Sequence, residues 1–450
     1  MGEKRSIGLL GTAEVLQEHL TAAMCESVFR VERVAERRRV WTLEKMAEFW
    51  TAVILRAPKS LKQALEEGRA GEGGFPEVGS SDQAFFARCQ GMKPAFFRGV
   101  FEAFTKRVLE REPASFQEEL REVGSRFAGV WVVDGSGLDA IAHRLKVLWD
   151  ERAVVLPGAL TAFYDLFHGV PRMLEFHEEA RKGELLRVEE ALSRVPEGTL
   201  TIGDRAFGVP RFFESLEKHG LFGLARHAKT TKLRRLQMLS RKEGADTVLQ
   251  DTLVEAGTGT NGVAPQRLRC IYQRRGRKVL RLITNVLDPA RLSAPEALAL
   301  YRRRWKVERM FYDLKEVLNL HRFYAANANA VAMQVYASAI VYVALRTAQA
   351  RIGRAVKIPP ERISPAKLFP RVAAATGAIV HMKIAFRRTQ EWNRHVKLRE
   401  PQWSKLPEYR VPLASLLVEP RNGKRRQRRY CAARRRAVSL HHFTRRRRRR

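Results

Sequence analysis

The sequence predicts an α/β fold with a helical N-terminal region and a basic C-terminal tail. Three observations carry that prediction. Apolar residues recur at helical spacing within residues 11–67, β-rich runs end in aspartates at Asp134 and Asp204 with helical stretches between them, and residues 421–450 hold 15 basic and no acidic residues. Strands that precede helices and end in acids describe an α/β catalytic core, since such sheets present functional groups beyond the carboxyl ends of their strands.

A chain of 450 residues, 45% hydrophobic and 9% aromatic, has apolar material for a sizeable core and length for two to four domains. A wholly disordered or fibrous chain is excluded. Lys and Arg number 83 against 48 Asp and Glu, a net +35 that opposes compaction unless a polyanion neutralises it. Taking the 15 charges of the tail from +35 leaves +20 on residues 1–420, so the folded part is basic as well and nucleic acid is the first partner to expect. Cys25, Cys89, Cys270 and Cys431 show no C-x-x-C spacing, which argues against a disulfide framework or structural zinc and fits a reducing cytoplasm. No apolar leader is apparent. The stretch Ala330 to Leu345 is 16 residues interrupted by Gln334 and Ser338, short of the roughly 20 that span a bilayer, and reads as a buried helix.

In chain order, Leu43, Met46, Ala47 and Trp50 mark a helix face, and the glycine-rich stretch 68–74 then breaks the pattern. Ser80-x-x-Gln83 before Phe85-Phe86 resembles a capping box, Gly91 ends that helix, and Pro94 opens the next through Phe104 and Leu109. Such a pair is either a plain packing unit or a helix-turn-helix presenting Lys93, Arg98, Lys106 and Arg107 to a major groove. Phe127 to Val133 reads as a buried strand leaving through Asp134-Gly135-Ser136. Ala153–Leu156 and Ala159–Tyr164 are expected sheet neighbours, Glu184–Arg194 a helix, Thr199–Gly203 a strand ending at Asp204, Pro210–His219 a helix and Leu221–Ala225 a strand. Residues 229–298 interrupt the core with β-like runs at Thr247–Glu255, Arg267–Tyr272 and Lys278–Thr284. Ser293-Ala294-Pro295-Glu296 then starts a helix towards Leu318.

On an ideal helix Tyr301, Arg304, Glu308 and Lys315 fall at about 0°, −60°, −20° and −40°, one narrow face. Most charged faces of this kind are merely solvated. A hydroxyl, a guanidinium, a carboxylate and an ammonium together nevertheless suit a phosphate ester beside a metal-binding acid. Mg²⁺ takes oxygen ligands and keeps positions for water and phosphate. Asp134, Asp204 and Glu308, from separate elements, would hold two such ions about 3.5–4 Å apart, the arrangement of phosphoryl transfer on nucleic acid, with Mn²⁺ able to substitute.

The motifs Val132-Val133-Asp134-Gly135-Ser136, Ile202-Gly203-Asp204-Arg205-Ala206-Phe207-Gly208 and Tyr301-x2-Arg304-x3-Glu308-x6-Lys315 resemble the DDE transposases of the insertion-sequence-four type. The last is that family's Y-R-E-K pattern at full spacing, and Leu282-Ile283-Thr284-Asn285 is also similar; the resemblance covers roughly residues 120–350. It implies a ribonuclease-H-like catalytic core interrupted by a β-rich insertion before the Glu, with Asp134, Asp204 and Glu308 as a metal-binding triad. Tyr301, Arg304 and Lys315 would contact phosphates of the element ends. The implied activity is Mg²⁺-dependent cutting at those ends and joining of the freed 3′-hydroxyls to target DNA, without a covalent enzyme intermediate, by a dimer or larger complex.

The implied organisation is a helical, DNA-binding 1–120, a core of 121–350 with its insertion at 229–298, a basic 351–420 and an Arg-rich 421–450. Some members of that family stack a flipped base on a Trp of the insertion. This chain has none between Trp149 and Trp305, leaving Phe207 or Tyr272 as substitutes. Asp139, Asp150, Glu151 and Asp165 are alternative ligands near Asp134. The terminal run Arg445 to Arg450 is either a DNA-clamping arm or readthrough of a decayed gene. No zinc spacing or Walker-type loop is present, so neither zinc nor ATP is expected. The partner expected is double-stranded DNA, not membrane, in the cytoplasm at the nucleoid. A nuclease that does not join ends and a non-catalytic DNA-binding relic are the alternatives.

Overall fold

The computed structural model describes residues 6–9, 11–32, 39–71, 75–138, 158–178, 183–258, 263–320, 322–324, 327–375 and 410–418. The expected strand at 153–156, the acids Asp139, Asp150 and Glu151, most of the basic region after residue 375 and the Arg-rich tail lie outside these residues.

A short strand β1 (Ser6–Gly8) precedes a helical region: α1 (Gly11–His19), α2 (Ala22–Glu32), α3 (Leu43–Arg56), α4 (Leu61–Arg69), α5 (Asp82–Gly91) and α6 (Pro94–Arg111). Side-chain oxygens of Thr42, Ser60 and Ser81 cap α3, α4 and α5, each accepting from the backbone N–H three residues on. The cap of α5 is therefore Ser81, one residue past the expected Ser80, whose hydroxyl accepts instead from the Trp41 indole at 2.8 Å.

The pair α5–α6 forms as expected, but α6 is a packing element. It buries Phe96, Phe97, Val100, Phe101, Phe104 and Val108 against α2, the strand β4 and the long helix α12 introduced below. Arg98 bonds Glu175 at 3.3 Å on β4. The apolar face of α6 is thus used in packing, while Lys93, Lys106 and Arg107 remain exposed.

After the single turn α7 (Arg121–Gly124) come β2 (Val130–Gly137), β3 (Ala159–Asp165), β4 (Val170–His177), α8 (Glu184–Ala191), β5 (Leu200–Gly203), α9 (Pro210–Lys218) and β6 (Phe222–Arg226). Four more strands follow: β7 (Leu233–Gly244), β8 (Thr247–Ala256), β9 (Gln266–Arg275) and β10 (Lys278–Thr284). The chain continues through α10 (Ala294–Arg302), α11 (Trp305–Tyr312), a π-helical turn at Asp313–Val317, α12 (Ala328–Val356) and β11 (Arg410–Pro412), which pairs with β1.

Among the described residues β2 to β10 form a nine-stranded sheet in the order β4-β3-β2-β5-β6-β10-β9-β8-β7. The hairpin strands β2, β3 and β4 are antiparallel, and β2, β5 and β6 are parallel. The β-rich stretch expected at 229–298 builds no separate sheet. Its last strand, β10, pairs antiparallel with β6, so these strands extend the core sheet.

Alternation sets the two faces. Along β2, Val130 and Val132 join one apolar cluster with Met310, Leu314 and α12, while Trp131 and Val133 join a second with Phe212, Phe213 and Leu216 of α9. Every residue of α12 from Ala330 to Ala350 is buried. That helix is long and apolar enough to cross a membrane, but here it is the spine of the protein core, as its sequence predicts.

Candidate active site

Strand β2 runs to Gly137, past the point where its apolar run stops, and this extension carries Asp134 to the end of the sheet. By alternation Asp134 shares the face of Val132, towards α11. Its side chain is 14% exposed, and one oxygen accepts from the Gly135 N–H at 3.0 Å.

The segment expected as one straight helix is broken twice. A capping box, Ser293 with Glu296, starts α10; the chain turns at Arg303-Arg304 before α11; and Lys315 sits on the π turn. Ideal-helix angles therefore do not describe residues 301–315. Three of the four side chains converge all the same. Arg304, 9% exposed, donates to Glu308 at 2.8 Å and lies 3.6 Å from Asp134, and its guanidinium is within electrostatic range of the Tyr301 hydroxyl. Lys315 is turned elsewhere, donating to Ser136 Oγ at 2.7 Å and to the Gly137 carbonyl at 2.6 Å, so it locks the π turn to the end of β2. Single π turns are frequent at functional sites.

Asp204 follows β5, the parallel neighbour of β2, and accepts from the Ala206 N–H at 2.6 Å, which fixes the turn that leads to α9. A fourth acid, Glu184, is one that sequence reasoning missed. It is the first residue of α8, and its carboxylate lies over Gly135, 2.8 Å from where a Cβ there would stand. Its buried Oε1 has no hydrogen-bond partner. Its one signal in the sequence is its place at the start of the helix expected over Glu184–Arg194. Arg226, at the end of β6, lies within electrostatic range of Tyr301 and was also missed.

These charges act on one another. Burial first, then Glu184, push the Asp134 carboxyl up to about 7; Glu308 and Asp204 add to this and Arg304 opposes it. Burial and Asp204 likewise raise Glu184, and the nearby Gly135 N–H, Arg187 and Asp134 oppose them. One guanidinium thus faces several carboxylates, and negative charge is in surplus. The donors are all carboxylate oxygens, the set a hard divalent cation prefers. Among the described residues, however, no three acidic, histidine or cysteine side chains gather closely enough to hold one metal ion.

The other candidates resolve differently. Asp165 sits three residues along the sheet from the pairing partner of Asp134 and is occupied by His168 and Arg172, both at 2.9 Å, so it is not an alternative ligand here. Phe207 is fully buried against Phe212 and offers no surface to a base. Tyr272 lies on β9 beneath the Arg281 guanidinium, 5.4 Å from its ring.

Residues 158–344 match the family model described as the Transposase DDE domain. The match includes Asp204, Tyr301, Arg304, Glu308 and Lys315 and begins after Asp134. The chain is 29% identical over 147 residues to a probable transposase for insertion sequence element IS5377 of Geobacillus stearothermophilus, covering 32% of this chain and 38% of that protein. It is 28% identical over 199 residues to the putative transposase y4zB of Sinorhizobium fredii, covering 42% and 53%. A putative transposase for insertion sequence element IS4SA of Synechocystis is 25% identical over 162 residues, covering 35% and 43%. The matched stretches thus span about a third to a half of each relative's length. Among solved structures, the piggyBac transposase synaptic complex with hairpin DNA aligns over 88% of this chain and 86% of its own at 9% identity, with a TM-score of 0.41, too low to establish a shared fold.

Proposed function

Because residues 158–344 match the family model of the Transposase DDE domain, we propose that the protein cuts DNA at the ends of its own insertion element and joins the freed 3′-hydroxyls to target DNA. The observation that carries this reading is the reach of Arg304 between Glu308 on α11 and Asp134 on β2, which brings acids some 170 residues apart to one guanidinium. The strand arrangement supports a ribonuclease-H-like core: β4-β3-β2-β5-β6, with an antiparallel three-strand meander on one side of β2 and parallel strands on the other.

In this reading Asp134, Asp204 and Glu308 would hold Mg²⁺ once drawn closer together than they stand here, and the ion would activate the attacking oxygen and stabilise the leaving one. Glu184 stands beside them as a further carboxylate. Arg304 neutralises the acids in this arrangement and is also the nearest charged donor for a phosphate, which a guanidinium holds in bidentate fashion. Tyr301 lies within electrostatic range of Arg304, and Lys315 keeps the π turn against Ser136. The remaining basic surface supplies affinity for double-stranded DNA that weakens with salt. We further propose a homodimer on paired ends, a cytoplasmic, nucleoid-associated location, and division of the chain at residues 120, 350 and 420.

The test incubates purified protein with DNA bearing the gene's flanking ends, with and without Mg²⁺, beside Glu308→Gln. Cutting at the end boundary and joining to a second DNA, both lost in the variant while binding persists, is the expected result. Cutting without joining would make the protein a nuclease, and binding with no cutting would make it a non-catalytic relic.

A further inference from the structure

We infer that Arg269 is a positioning residue: it ties the four-stranded extension β7–β10 to the base of the helix pair that bears Glu308. The inference rests on the phosphoryl-transfer reading above but uses residues outside that site.

Arg269, on β9, is fully buried, and Asp251, its partner on β8, is 2% exposed. The guanidinium engages both carboxylate oxygens, through Nε at 3.1 Å and through Nη2. Its remaining nitrogen, Nη1, donates to two backbone carbonyls, Val286 at 3.0 Å and Leu292 at 2.9 Å. Those carbonyls belong to the connection between β10 and α10, six residues apart, and one nitrogen pinches the connection shut. The next residue, Ser293, is the N-cap of α10.

A buried ion pair is weak grounds for stability, since an apolar pair of similar volume often serves as well. What an apolar pair cannot do is donate to two carbonyls of a third segment, which the planar fork of arginine does. From the other side, Arg126 at the approach to β2 donates to the Ala290 carbonyl at 3.2 Å and to Glu296. The connection is therefore held jointly by the extension and by the strand that carries Asp134. Helix α10 is 9 residues long, about 13 Å at helical rise, so a tilt of about 5° at its base moves its far end, where the chain turns into α11 and Glu308, by about 1 Å. A misplacement of about 1 Å can slow a reaction about 100-fold. A pull on the extension by bound DNA would reach Glu308 through this arginine.

The test is the double variant Asp251→Leu/Arg269→Met, which removes both charges and keeps the volume, compared with the wild type by hydrogen exchange, thermal melting, DNA binding and single-turnover cutting. The expected result is a melting temperature within a few degrees of that of the wild type, because two buried carbonyls lose their donor while the buried ion pair is replaced by apolar contacts, and binding within about two-fold. Amides of residues 294–308 should exchange at least about ten-fold faster while those of β8 and β9 stay protected, and cutting should slow about 100-fold. Unchanged exchange over 294–308 in the folded double variant overturns the inference. Arg269→Lys, which keeps the charge but cannot span both carbonyls, should give the same signature, and wild-type exchange there overturns it equally if the double variant fails to fold. Should the wild type itself not cut DNA, the functional reading fails, while the exchange measurement still decides the role of Arg269.

Discussion

Asp134 and Asp165 lie on paired strands, three positions apart, each largely buried and each facing an arginine, yet their carboxyls move in opposite directions. At Asp165 burial would raise the pKa, but hydrogen bonds from His168 and the charges of His168 and Arg172 outweigh it and bring the carboxyl down to about 2. The Phe167 and His168 backbone N–H groups donate to it as well. At Asp134 burial and three further acids outweigh one arginine, and the carboxyl rises to about 7. The same residue type at two ends of one hairpin is thus a satisfied structural acid in one place and a destabilised one in the other. Surplus negative charge, more than burial or proximity to arginine, separates a candidate catalytic carboxylate from an architectural one.

The sharpest way to break this contrast is to neutralise each acid in turn. Asp134→Asn should slow Mg²⁺-dependent cutting by about 1,000-fold or more, since a ligand to a catalytic ion contributes several kcal/mol to transition-state stabilisation, while DNA binding by gel shift changes little. Asp165→Asn should leave the cutting rate per folded molecule intact. It should instead lower unfolding stability by about 2–4 kcal/mol in urea titrations, because His168, Arg172 and two backbone donors lose their acceptor. A large loss of cutting in folded Asp165→Asn protein would dissolve the distinction.

The pH dependence sharpens it next. Asp165 has a depressed folded-state pKa, so its contribution is present above the ordinary carboxylate value near 4 and is lost as pH falls towards about 2. Asp134 has a raised one, so the folded state gains from its proton below about pH 4 and loses that advantage as pH climbs towards about 7. With chelator present, Asp134→Asn should therefore become more stable than the wild type by up to about 4 kcal/mol at neutral pH, the difference vanishing near pH 4. Parallel profiles for the two variants would show that the surplus charge is not felt at Asp134.

Most of the central sheet was legible in the sequence, because buried strands write themselves as short apolar runs, and Asp134 and Asp204 stand where such runs end, while Glu308 lies in the first turn of α11. What escaped was decided by neighbours. The edge strand β7 reads Leu-Arg-Arg-Leu-Gln-Met-Leu-Ser-Arg-Lys-Glu-Gly and is exposed along most of its length, so pairing with β8, not apolar alternation, makes it a strand. Strand β4 begins with Val170-Pro171 and mixes charge into its run, and its partner β3 specifies it. The turn at Arg303-Arg304 and the π turn carry no composition signal, since every residue there is a tolerable helix former. Glu184 was invisible as a site residue because only the return of the chain over Gly135 places it.

Glu184 also gives the smallest and most selective test. After burial it is the largest influence raising Asp134, and its own carboxyl is raised by burial and Asp204. Glu184→Gln keeps the shape over Gly135 and removes one charge, so Asp134 should titrate closer to the ordinary carboxylate range. The destabilisation that Asp134 imposes at neutral pH should then shrink by about 1 kcal/mol. The double variant with Asp134→Asn is the discriminating control: if the two carboxylates act on each other, the neutral-pH gains in stability from the two substitutions should fall short of additive by a similar amount. Fully additive gains would mean that Glu184 is a bystander at the helix start and that burial alone lifts Asp134.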